Sequence, residues 1–161
     1  MAPSAHTYRL LLVEDNPADM RLMQEAIRHA GLEQVAASTP CYSAEDCMHR
    51  LDEACRRHQS YHLIMLDLNM PRTSGKELLR MIRADRRYRQ VPVMVFTNSD
   101  SPRDMQDCML LGADMYVQKP SDFSRQIDLF ESILDSLLTL HRVDRDTLSS
   151  RVPGMQQRAA S

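Results

Sequence analysis

Leu63-Ile64-Met65-Leu66-Asp67-Leu68-Asn69-Met70-Pro71 is the stretch on which the fold turns. Four apolar residues in a row predict a strand buried on both faces, as in a parallel sheet rather than a half-wet antiparallel one. The run stops at a carboxylate and a proline follows, so Asp67 leaves the carboxyl end of a buried strand as the chain enters a loop. In open α/β sheets that edge is where ligands and chemistry collect. Taken alone, the same pattern fits a solvated aspartate closing a strand. The ends of the other strands decide between the two.

Working outward, Tyr8 to Val13 is nearly continuously apolar and ends in Glu14-Asp15. Asn16-Pro17 then reads as helix entry, Asn as the cap and Pro at the first helical position. Met20, Met23, Ile27 and Ala30 keep helical spacing, and Gly31 stops the helix. Gln34 to Ser38 is a second strand. Ser43 with Asp46 resembles a capping box and opens a helix to about Arg57. Beyond the Asp67 strand come a helix over Gly75–Ala84 and a strand over Val91–Phe96 that leads into Thr97-Asn98-Ser99. Ser101-Pro102-x-Asp104 repeats the cap grammar, and Gly112 closes that helix. A short strand spans Met115–Gln118 and meets Lys119-Pro120, and a last helix spans Phe123 to about Arg142. Residues 1–7 form a polar leader, and 143–161 lack apolar period and are expected to be a disordered tail.

Strand and helix thus alternate five times over residues 8–142. The expectation is a single α/β domain, a doubly wound five-stranded parallel sheet of the flavodoxin-like order 2-1-3-4-5. The 161 residues suit one domain with its own core. A net charge of -2 and a pI near 6.3 offer no bulk basicity for nucleic acid. Cys41, Cys47, Cys55 and Cys108 contain no Cys-x-x-Cys pair, which points to idle thiols in a reducing compartment. No stretch reads as a membrane span or a signal-peptide core, so a cytoplasmic protein is expected.

Collected at the carboxyl edge, the strand ends supply Glu14 and Asp15, then Asp67, Thr97 and Lys119. In order 2-1-3-4-5 the first and third strands are neighbours, so three carboxylates meet. At separations near 5 Å and an effective dielectric near 20, each like-charged pair costs about 3 kcal/mol. Raised pKa values or a bound cation must offset that. Carboxylates, a loop carbonyl and room for water form a hard oxygen site suited to Mg²⁺. With a lysine and a hydroxyl opposite, the set is a receptor for a phosphoryl group on one aspartate.

These residues carry a resemblance. Glu14-Asp15, Asp67-x-Asn69-Met70-Pro71 with Gly75, Thr97, Tyr116 and Lys119-Pro120 resembles the receiver domain of two-component response regulators, over roughly residues 8–140. The resemblance implies that Asp67 is the phosphoacceptor, attacking a phosphohistidine on a sensor histidine kinase. Asp15, Asp67 and the Asn69 carbonyl would hold Mg²⁺ directly, and Glu14 through water. Lys119 and Thr97 would contact the phosphoryl oxygens, Thr97 and Tyr116 would act as a switch, and the Lys119–Pro120 peptide would be cis. The protein is then a phosphoacceptor signalling protein rather than an enzyme. Two departures stand out: Glu14 replaces the more usual Asp, and Asn98 is bulkier than the small residue common after Thr97. The β-to-helix grammar after Thr97 and the long segment before the Asp67 strand resemble stand-alone regulators partnered with phytochrome-type kinases.

Phosphorylation adds about 1.5 to 2 negative charges, which the switch would pass to the face of the fourth helix, fifth strand and fifth helix. On the last helix Ile127, Phe130, Leu134, Leu137 and Leu138 can face the sheet. Leu129, Ile133 and Leu140 lie on a second stripe, the expected interface for a homodimer or a downstream protein; packing against the tail accounts for that stripe equally well. The tail is too short and unpatterned for a helix-turn-helix, so the output is expected to be protein contact. An aspartate-nucleophile phosphatase would need a second acid at Asn69. A nucleotide-binding module would need a glycine-rich turn where Glu14-Asp15-Asn16-Pro17 stands. A receiver acting without phosphate, as a protein-contact adaptor, keeps the same residues and is the remaining alternative.

Overall fold

The structure is a computed structural model that describes residues 8–151; of the side chains in the last helix, those at 137, 138 and 140–151 lie outside the described set. Five strands, β1 (Tyr8–Val13), β2 (Ala36–Cys41), β3 (Leu63–Leu66), β4 (Val93–Thr97) and β5 (Met115–Gln118), form one parallel sheet in order β2-β1-β3-β4-β5. The crossovers are α1 (Pro17–His29), α2 (Ala44–Arg56), α3 (Gly75–Ala84) and α4 (Pro102–Leu110), with α5 (Phe123–Arg151) closing the fold. This is the doubly wound arrangement that the alternation predicts.

Period-two alternation splits the core into two layers. Leu11, Val13, Ile64, Leu66, Val93 and Val95 face the side covered by α2, α3 and α4. Leu10, Leu12, Leu63, Met65, Met94 and Phe96 face the side covered by α1 and α5. The caps form as the sequence suggests. Asn16 Oδ1 accepts from the amides of Ala18 and Asp19 at 2.9 and 3.1 Å. The hydroxyls of Ser43, Ser74 and Ser101 accept from the amides of Asp46, Glu77 and Asp104. The first four helices are thus each capped within the loop that follows a strand at the carboxyl edge.

Four expectations are corrected. The second strand lies at Ala36–Cys41 rather than 34–38, because Gly31 (φ 74°) turns the chain and Leu32–Gln34 coil into a short 3-10 turn. Pro40 is tolerated there because β2 is an edge strand. The fourth strand starts at Val93 rather than Val91, since Arg83 takes the Val91 carbonyl at 2.8 Å and Pro92 has no N–H to give. The last helix runs to Arg151, nine residues past Arg142, as no glycine or proline interrupts the chain before Pro153. The expected leader, and the tail from 152 onward, lie outside the described residues.

The fourth correction concerns the second stripe of α5. Ile133 is buried and Leu129 half-buried, both in the core layer with Phe130, Ile127 and Leu134. Leu63, Met94, Met115, Leu129 and Ile133 line one apolar groove between α5 and the sheet, so the apolar face spans more than one stripe. The side chain of Leu140 lies outside the described residues. Among the described residues, no helix is long and apolar enough to cross a membrane.

Candidate functional site

At the carboxyl edge β1 and β3 are paired, and the amide of Asp67 donates to the Val13 carbonyl at 3.0 Å. That bond places Asp67 beside the Glu14-Asp15 pair. Oxygens of Glu14, Asp15 and Asp67 all lie within 4.8 Å of one another. Glu14, Asp67 and Thr97 are the buried polar residues of the described chain, at 1%, 7% and 0% exposure, while Asp15 is half-buried. Three acids this close, two of them away from water, require positive charge nearby.

Lys119 supplies part of it. Its amide donates to the Thr97 carbonyl at 2.6 Å, which anchors the turn after β5 to the end of β4. Its ammonium pairs with Glu14 and lies 3.6 Å from Asp19 Oδ2 and 4.0 Å from Asp67 Oδ1. Burial pushes the Glu14 carboxyl above its usual range, against the pull of the Lys119 bond and of the Asn16 amide, which donates to Oε1 at 3.0 Å. Burial alone would lower the pKa of Lys119, but the Glu14 bond and the charges of Asp67, Glu14 and Asp19 hold it above its ordinary value. The lysine is therefore a persistent cation in the site.

Thr97 is fully buried at the end of β4, and its hydroxyl oxygen accepts from the Ser99 amide at 3.3 Å. Tyr116 is half-buried against the α2–α4 core layer, and its hydroxyl donates to the Ser99 carbonyl at 3.1 Å. Both switch candidates are thus joined to one loop residue. Asn69 is exposed on the loop two residues past Asp67. The Lys119–Pro120 peptide is trans, against the implied cis. Trans is the lower-energy isomer before proline, and the Gln126 side chain donates to the Pro120 carbonyl at 2.9 Å in that form.

Sequence reading missed Asp19 and Ser99. Asp19 is an acid in the first turn of α1, and one turn past a strand end brings it back over the same edge. Ser99 carried no signal beyond its turn composition. The donor set of three carboxylates, all hard oxygen, fits a divalent cation of the Mg²⁺ kind.

The comparisons bear on the fold and the family. The response regulator receiver domain matches residues 10–131. Two-component response regulator ORR1 of Oryza sativa is 30% identical over 115 residues, 70% of this chain and 49% of that protein. The chain thus spans about half the length of that curated relative. The phosphorylated cyanobacterial phytochrome response regulator RcpA aligns with a TM-score of 0.65 at 28% identity, over 78% of this chain and 90% of its own. The Mn²⁺-bound response regulator Rcp1 aligns with a TM-score of 0.65 at 27% identity, over 78% and 91%. With a sheet of the expected order and most of its length matched, the chain belongs to the response regulator receiver domain family.

Proposed function

We propose that the chain is a phosphoacceptor that takes a phosphoryl group from a sensor histidine kinase onto Asp67, with Mg²⁺ held by Asp15, Asp67 and the Asn69 carbonyl and, through water, by Glu14. The observation that carries this reading is the cluster itself: three carboxylates within 4.8 Å, with a buried lysine 4.0 Å from Asp67. An Asp67 oxygen attacks phosphorus as the P–N bond of the phosphohistidine breaks, and the imidazole nitrogen keeps the electron pair. Mg²⁺ held there would supply positive charge to the transferring oxygens. Lys119 pairs with a phosphoryl oxygen from the other side, and Thr97 donates its hydroxyl proton to a second. The Mn²⁺-bound relative supports the metal, and the phytochrome-associated relative supports a kinase of that type.

Incubating the full chain with Mg²⁺ and acetyl phosphate is expected to add the mass of one phosphoryl group. Asp67→Asn should gain nothing, because the amide is a poor nucleophile. No gain in the parent protein with acetyl phosphate or with any kinase would favour the adaptor that acts without phosphate.

The face of α4 and β5 supports a protein-contact output. Leu110 is 87% exposed, and Met105, Met109 and Met115 are each between 44% and 47% exposed. These side chains, rather than Leu129 and Ile133, supply the apolar surface of the proposed interface. Sedimentation with beryllofluoride, an acyl-phosphate mimic, is expected to convert monomer to dimer. A monomer that persists at high concentration would remove the homodimer and leave a different protein as the occupant.

A further inference from the structure

Ser99, in the loop between β4 and α4, is bound in three directions. Its amide donates to the Thr97 hydroxyl, its carbonyl accepts from Tyr116, and its own hydroxyl donates to Asp104 Oδ2 at 2.5 Å. The other oxygen of Asp104 accepts from Lys76 Nζ at 2.6 Å, and the same ammonium reaches Asp107 at 2.9 Å. Lys76 follows Gly75, whose amide donates to the Leu68 carbonyl at 2.9 Å and where an added Cβ would overlap the Asp67 carbonyl oxygen. The chain of contacts therefore starts and ends at the phosphoacceptor. One end is the backbone beside Asp67, and the other is the hydroxyl that would meet its phosphoryl group.

We propose that Lys76 and Asp104 are positioning residues, a tether that holds Ser99 and so limits how readily Thr97 turns toward a phosphoryl group on Asp67. This inference rests on the phosphoacceptor reading. The Thr97 hydroxyl is oriented by the amide that donates to it. Turning it toward Asp67 releases that amide and displaces Ser99, which Asp104 resists because Lys76 fixes it to α3. Lys76 and Ser99 hold the Asp104 carboxyl below its usual range, so the tether stays charged across the physiological pH range. The pair is about 30% exposed on each side, which keeps its strength modest and suits a contact that must be broken in use.

The test titrates beryllofluoride, with Mg²⁺ present, into the full chain and into Lys76→Met, Asp104→Asn and Lys76→Arg, following binding by calorimetry and stability by thermal melting. Lys76→Met keeps the packed stem and removes the charge. It and Asp104→Asn are expected to bind the mimic roughly three- to fivefold more tightly, as loss of the partly exposed Lys76–Asp104 pair, which both variants share, allows. Lys76→Arg should restore the parent affinity. Variants that melt lower yet bind with parent affinity would overturn the tether and leave it a merely structural contact. If the parent protein itself takes up no beryllofluoride, the phosphoacceptor reading fails first and the tether falls with it.

Discussion

Gly75→Ala is expected to destabilise the protein by roughly 3 kcal/mol or more and to abolish phosphoryl uptake at Asp67. A Cβ at this position would sit 2.3 Å from the Asp67 carbonyl oxygen and 2.6 Å from the Leu68 Cα. Both are backbone atoms, so no rotamer change can relieve the overlap. Helix propensity offers little against this, since the advantage of Ala over Gly of about 1 kcal/mol belongs to a helix interior and Gly75 is the first residue of α3. Contact decides the sign. The only relief is for α3 to move off the β3 loop, which breaks the Gly75–Leu68 hydrogen bond and shifts the segment carrying Asp67 and Asn69. Gly31→Ala provides the contrast. A Cβ there meets nothing within 4 Å, and the cost of about 1 kcal/mol comes from the left-handed φ of 74° alone. Urea unfolding and phosphoryl uptake, measured together, check the pair. If Gly75→Ala matches Gly31→Ala in stability and still takes the mass gain, the close approach does not constrain the site.

The elements that carry this edge are legible in the sequence. The buried run before Asp67, the Asn16-Pro17 entry and the serine caps are local signals, and each local signal fixed one element. Order 2-1-3-4-5 followed because few topologies fit alternating units, and it brings β1 and β3 together. The meeting of Glu14, Asp15 and Asp67 is therefore readable from strand ends alone. What was not legible depends on side chains reaching between elements. Lys119 pairs foremost with Glu14 and also approaches Asp19, rather than facing Asp67 alone, because the long stem can choose among several acids. Ile133 reads as a spare stripe on a helical wheel, yet it is buried in the core layer that holds Leu63 and Met94. The reach of α5 to Arg151 is not legible because residues 143–151 show neither apolar period nor strong helix propensity, and only the absence of a breaker before Pro153 allows it.

Lys119→Met should cost roughly 3 to 5 kcal/mol at pH 8, the range for removing one partner of a buried ion pair. Glu14 is 1% exposed and the lysine side chain 7%, so no water can replace the lost ammonium without opening the edge. Glu14 keeps only the Asn16 amide, while Asp67 still repels it. Asp19 and Asp67 lose the same cation, in the same direction. The carboxyl of Glu14 then has a second course, which is to take up a proton. Its folded pKa already lies above the ordinary 4.5 through burial, and loss of the lysine raises it further. For a group raised in the folded state, the stabilising proton is fully present below the unfolded pKa and is lost as pH rises through the folded one. The variant should therefore be close to the parent near pH 5 and fall away toward pH 8. The parent should show no matching slope from Lys119, whose raised pKa leaves it protonated throughout that window. Glu14→Gln with Lys119→Met removes both charges and should recover most of the loss, as replacing a whole buried pair is often near neutral. Urea unfolding in a chelating buffer, at pH 5 and pH 8, measures all three proteins. An equal deficit at both pH values, or a double variant no better than Lys119→Met, would mean that the lysine acts through its charge over the Phe96 ring and not by holding the acids together.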